Sequence, residues 1–202
     1  MKQYTISYTK GEPEWSSIPS ITADCVNWRV NPGIRMDAQI AWNEGGIYFH
    51  SVCVEKNIRA ELSGQGQNVF EDSCMEFFFR PDEKDPRYFN FETNFNAAQF
   101  IGIGTNLDEL IHLVPLNSET LFDVKTAKTE DGWELWFHIP IEFMRNFFND
   151  LTLKEGDAIY ANIFKCGDYT VVRHSLSWNE MEQSNHTFHN PDYFGRMLLG
   201  NK

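Results

Sequence analysis

Residues 69–98 read VFEDSCMEFFFRPDEKDPRYFNFETNFNAA. Two Phe-rich runs flank a charged turn, and each carries a glutamate among its aromatics, Glu76 and Glu92. In RYFNFETNF (87–95) the alternation is regular. Phe89, Phe91 and Phe95 point one way and Tyr88, Asn90, Glu92 and Asn94 the other, the period-2 pattern of a strand. The first set predicts core. The second is a row of hydrogen-bonding groups that serves either as a solvated face or as a ligand floor. CMEFFFR (74–80) differs, because Glu76 interrupts an apolar run and so predicts a strand covered on both faces. A carboxylate there needs Arg or Lys, backbone donors, a metal or ligand hydroxyls. Arg173 is one candidate partner, and a structural ion pair is the plain alternative to a site.

The same texture extends along the chain. QYTISYT (3–9), DCVNWRV (24–30), MDAQIAW (36–42), IYFHSVCVE (47–55) and QFIGIG (99–104) read as strands. So do LFDVKTA (121–127), WELWFHI (133–139), DAIYANIFKC (157–166), TVVRHSL (170–176) and RMLL (196–199). NEGG (43–46), EDG (130–132) and CGD (166–168) supply hairpin turns, since glycine takes positive φ freely. One short helix is predicted over 141–148, opened by Pro140, with Ile141, Met144, Phe147 and Phe148 on one face. The reading is an all-β protein, an antiparallel β-sandwich with one short helix. No linker or repeat divides it, so residues 1–202 are expected to form one domain.

Composition narrows the function classes. Against 17 Lys and Arg stand 29 Asp and Glu, a formal charge of −12, so no nucleic acid and no anionic membrane is expected as a partner. No apolar run is long enough to span a bilayer, and the first residues lack a signal h-region. As it stands the sequence predicts a cytoplasmic protein, or a secreted one if a leader has been trimmed. Cys25, Cys53, Cys74 and Cys166 form no CxxC pair. They read as buried free thiols, with a Cys53–Cys74 bridge as the alternative, and zinc lacks its paired ligand spacing. The metal content is left unknown. GxSxG, GxGxxG, P-loop and HExxH motifs are absent.

LSWNEMEQSNHTFHNPDYFG (176–195) sets Trp178, Phe188, His189, Tyr193 and Phe194 among turn formers. Loop aromatics suit stacking on sugar rings, or they seal the end of the sandwich; Trp178 and Phe194 fit sealing and Phe188 fits a site. The order EDSCMEFFFRP, YFNFETN, WELWFHIP, R…LSW, FHNPDYFG resembles family 9 carbohydrate-binding modules, from about Asn43 to the end. The resemblance implies a sandwich of jelly-roll or immunoglobulin-like form and a glucan cleft between two aromatic walls. In some members calcium ions support loops, so a structural calcium is allowed here although no cofactor is required.

Position by position, the resemblance puts Phe70 and Phe188 where the family has its two wall tryptophans. Glu76 matches the family's strand glutamate, Asn94 its strand asparagine and Asn185 a polar residue three before the second wall. Glu92 replaces an arginine, which removes a donor for sugar hydroxyls. The ligand-binding set is therefore Phe70, Glu76, Glu92, Asn94, Asn185, Phe188 and His189, in a non-catalytic protein that binds a mono- or oligosaccharide. Two alternatives stand beside it. Glu76 and Glu92 could act as the carboxylate pair of a glycoside hydrolase. Met75 or Met36 with His189 could ligate haem, as in relatives of the same sandwich.

Overall fold

The computed structural model describes residues 1–29 and 33–202. Its strands, in chain order, begin with β1 (Gln3–Tyr8), β2 (Ile21–Thr22), β3 (Cys25–Val26), β4 (Arg35–Asn43) and β5 (Gly46–Val54). They continue with β6 (Cys74–Arg80), β7 (Tyr88–Asn94), β8 (Gln99–Gly104), β9 (Ile111–Leu113) and β10 (Lys125–Lys128). The last four are β11 (Gly132–Pro140), β12 (Ala158–Gly167), β13 (His174–Ser177) and β14 (Gly195–Leu199). One sheet runs β14-β12-β6-β7-β8-β9, with β13 and β3 added through β12; the other runs β10-β11-β5-β4, with β2 on β4. Between them lies the core the alternation predicts. Phe77 and Phe79 of β6 and Phe89 and Phe91 of β7 face Phe49 of β5 and Phe137 of β11. Phe49 stacks on Phe77 and on Phe137 with ring centroids 5.2 and 4.8 Å apart.

The sheets are mixed, which corrects the expected antiparallel arrangement. β1 runs parallel to β14 along Gln3–Ile6 and parallel to β4 at Ser7 and Tyr8. One strand thus leaves the first sheet and joins the second, closing a corner of the sandwich.

Local chemistry explains the other departures. The expected 141–148 helix is α2 (Ile141–Arg145), preceded by Pro140 in an extended conformation; Phe147 and Phe148 follow in a tight turn on Met144. A second helix, α1 (Ser118–Leu121), replaces the start of the strand expected over 121–127. Asp123 at φ 48° then breaks the chain before β10. Of DCVNWRV only Cys25 and Val26 pair, and Val30 lies outside the described residues. In the β4–β5 turn, Gly46 sits at φ 150°, and a Cβ there would meet the Ile139 carbonyl oxygen at 2.2 Å. No described helix is long and apolar enough to cross a membrane. The four cysteines are free thiols, with Cys25 only half-buried.

One feature of the core has no precedent in the sequence pattern. Lys165 of β12, wholly buried on the inner face, reaches Glu55 at the end of β5, Nζ to Oε2 2.9 Å. Its Nζ also donates to the Cys166 carbonyl (3.0 Å) and to His174 Nε2 (2.8 Å). Ser73 Oγ donates to the other Glu55 oxygen at 2.8 Å. Burial alone would raise the Glu55 carboxyl and lower the Lys165 amine, yet their mutual attraction turns both shifts toward the charged forms. His174 Nδ1–H donates to the Val172 carbonyl (2.6 Å). Burial, reinforced by Lys165, holds the ring neutral with its pKa lowered to about 4.

Two outcomes follow from this bridge. Lys165→Met strands a buried carboxylate and should cost about 3–5 kcal/mol in urea unfolding; Lys165→Met/Glu55→Gln should recover much of it. His174 takes up its proton only below its unfolded value, near 6.5. The folded state therefore loses stability as pH falls from about 6.5 to about 4, by on the order of 2 kcal/mol or about 4–8 °C of Tm. His174→Gln should flatten the Tm curve in that window and leave it unchanged above pH 7.

Candidate functional site

The outer face of the β6–β7–β12 sheet carries the other half of the alternation, and it is buried, not solvated. Reading across the strands, Phe164 pairs with Glu76, which pairs with Glu92; one step along, Cys166 pairs with Cys74, which pairs with Asn94. A one-residue slip would send all of them into the inter-sheet core. The C-terminal loop covers this face: Phe188 stacks on Phe164 at 4.2 Å, and Phe194 packs edge-on against Tyr88 at 5.6 Å. Asn190 helps set the loop's path, its Oδ1 accepting from the Asp192 amide at the turn Pro191–Tyr193. On the opposite side Phe70 rides the short turn Val69–Glu71, tied to the end of β12 by the Asp168 amide on the Phe70 carbonyl, 3.0 Å.

These elements enclose a cavity of about 370 Å³. Phe70, Glu76, Glu92, Phe188 and His189 all line it. Glu76 accepts from Cys166 Sγ at 2.8 Å; the candidate partner Arg173 is exposed. Burial, then the neighbouring Cys166 and Glu92, holds the Glu76 carboxyl well above the usual carboxylate range. Burial pushes Glu92 up to about 8, against the hydrogen bond that Asn90 Nδ2 donates to its Oε1 at 2.8 Å. Its other oxygen, Oε2, is buried without a protein partner. Burial thus favours the protonated form of both groups, and a protonated carboxyl both donates and accepts.

The remaining residues of the expected set divide. His189 lies 2.8 Å, through Nδ1, from the Tyr88 hydroxyl, and burial lowers its pKa to about 4. Asn94 does not reach the cavity. Its Nδ2 donates to the Leu62 carbonyl and Asp72 Oδ2, and its Oδ1 accepts from the Asn96 and Ala98 amides, which ties two loops together. Asn185 is exposed and bonds Glu182, lining a second cavity instead. That cavity shares Leu107, Thr187 and His189 with the first, so the two are contiguous. The haem alternative meets a geometric obstacle: Met36 and Met75 lie in the inter-sheet core, on the far side of the sheet from His189.

Sequence reading missed Trp28, Arg29, Asp168 and Cys166, which also line the cavity. Trp28 packs against Phe188 at 4.8 Å, and Arg29 is ion-paired with Asp168 at the cavity wall. Trp28 and Arg29 sit in DCVNWRV, which reads as an ordinary strand; nothing local separates a core tryptophan from a wall one. Arg29 brings a guanidinium to the cavity wall, a cationic group that Glu92 does not supply. Removing the Tyr88 hydroxyl should leave His189 Nδ1 unpartnered. Tyr88→Phe is expected to cost about 1–3 kcal/mol in thermal unfolding.

The comparisons with known proteins agree with this architecture. No curated protein matches the chain. Among solved structures, a protein of Bacteroides uniformis, for which carbohydrate binding is itself inferred, is 26% identical with a TM-score of 0.84. That match covers 98% of this chain and 99% of the other. A family 9 carbohydrate-binding module of Caldicellulosiruptor kristjanssonii shares the fold at 11% identity. In complex with cellotriose it gives a TM-score of 0.70 over 100% of this chain and 95% of that one. In complex with glucose the TM-score is 0.67, over 100% and 97%. The model of carbohydrate-binding family 9 matches residues 14–199; the chain belongs to that family.

Proposed function

We propose that the protein binds a carbohydrate, without cleaving it, in the cavity between Phe70 and the Phe188–Trp28 wall. The observation that carries this reading is the unpartnered Glu92 Oε2, buried in the floor of an aromatic-sided cavity. A buried polar atom without a partner costs about 1–3 kcal/mol, and a ligand hydroxyl removes that cost. Aromatic faces take the apolar C–H surface of a sugar ring, while Glu76, Glu92, Arg29 and His189 supply donors and acceptors for its hydroxyls. The cavity has the size usual for small-molecule sites. Its continuity with the cavity at Asn185 favours a ligand of more than one ring.

Support for the non-catalytic reading comes from the carboxyls. A retaining or inverting hydrolase needs one ionised carboxylate beside one acid. Here burial pushes both carboxyls toward the neutral form, which weakens each of them as a nucleophile or base.

Titration calorimetry against glucose, cello-oligosaccharides and a panel of other sugars tests the proposal. Binding should weaken at least about tenfold, or 1.4 kcal/mol, in Phe188→Ala and in Glu92→Gln, and the trisaccharide should bind more tightly than the monosaccharide. Trp28 emission should change on binding and fail to do so in Trp28→Phe. Heat from no sugar at all, with the protein folded, would sink the reading. Release of nitrophenol from aryl glycosides would replace it with the hydrolase alternative.

A further inference from the structure

The floor of the cavity contains a pair of thiols that sugar binding does not explain. Cys74 and Cys166 face each other directly across β6 and β12, and Glu76 stands two residues along β6 on the same face. Their Sγ and carboxylate atoms all lie within 4.8 Å of one another, and all three side chains are buried. The nearby cation, Lys165, belongs to the opposite face of the sheet, where it is held by Glu55 and His174. Among the described residues no cation is bonded to these two thiols and their carboxyl, an unusual surrounding for a protein interior, where a sulfur pair is ordinarily packed by hydrocarbon.

We infer that Cys74, Cys166 and Glu76 form a site for one thiophilic divalent cation of the zinc class, set into the floor of the cavity. Two thiolates and a carboxylate are a ligand set for tetrahedral zinc, and three protein ligands leave a fourth position. Metal–sulfur bonds of ~2.3 Å place two sulfurs about 3.8 Å apart in a tetrahedron, a separation the present 4.8 Å limit reaches with shifts below 1 Å. Cys166 and Glu76 line the cavity, so an ion has an entry path and the fourth position opens toward it. Glu92, directly opposite Glu76 in the ladder and on the same face, carries an oxygen without a protein partner. Calcium and magnesium, which take oxygen ligands, are not served by two sulfurs.

Binding involves no oxidation. The ion forms two metal–sulfur bonds and one metal–oxygen bond, and the two thiol protons and the Glu76 proton leave to solvent, up to three per ion. The site stands on side chains that hold the ion whether or not the cavity takes a sugar, so each proposal survives failure of the other.

The test is a titration of the reduced, metal-stripped full chain with Cd²⁺, read by the thiolate-to-cadmium charge-transfer absorbance. The expected result is a rise that saturates at one equivalent with release of two to three protons. Zn²⁺ should reverse it by displacement, and excess Ca²⁺ should have no effect. Cys74→Ser and Cys166→Ser should each weaken binding more than about 100-fold, beyond the range seen for outer-shell partners. Should those variants fail to fold, Cys25→Ser/Cys53→Ser, which alters neither proposed ligand sulfur, should keep the whole signal. Absence of the band in folded wild type, or its loss in that double variant, overturns the inference. So does finding only two reactive thiols in the protein denatured without reductant, which would make the pair a disulfide.

Discussion

The stacking of Phe77 on Phe49, and of Phe91 on Phe137, joins the two sheets and fixes everything built on them. Since strand side chains alternate, committing Phe77, Phe79, Phe89 and Phe91 to the inner face leaves Glu76, Phe78, Asn90 and Glu92 no choice but the outer one. The same commitment sets the register of β6 on β7. Glu76 and Glu92 are therefore neighbours because of phenylalanine packing behind them, not because of any attraction between two carboxyls.

The outer face is then covered a second time, by a loop instead of a sheet. Phe188 and Phe194 close over Phe164 and Tyr88, burying a polar row that an ordinary sandwich would leave in water. Burial raises the carboxyls, lowers His189 and leaves one Glu92 oxygen without a partner. A fold that only needed stability would not retain such groups, since apolar side chains of similar volume cost less. The Glu55–Lys165–His174 bridge shows the contrast: there every charge has a partner, and the cluster works as a strut between sheets.

Much of this was legible in the residues. The period-2 runs revealed the strands, the unbroken CMEFFFR revealed a strand covered on both faces, and the NEGG turn revealed the β4–β5 hairpin. Phe70, Glu76, Glu92, Phe188 and His189, drawn partly from the resemblance to family 9, line one cavity. The misreadings have local causes. Asn94 has the right parity for the floor but spends all its hydrogen bonds on two loops. Arg173 reads as part of the strand TVVRHSL but lies just before β13 and is exposed. The parallel course of β1 could not be read at all, because alternation says which face a residue takes and nothing about a neighbour's direction.

Side-chain periodicity by itself determined which residues face the core and which face away, because that division depends only on the two-residue repeat of a strand. What the tertiary structure alone decided is which distant positions meet. Trp28 and Arg29 reach a wall that faces residues far along the chain, Lys165 finds Glu55, and Cys74 finds Cys166. Each of these pairings is a matter of strand order and register across long loops. Loop closure carries an entropy cost that grows only slowly with length, so the sequence between two partners holds almost no record of their meeting.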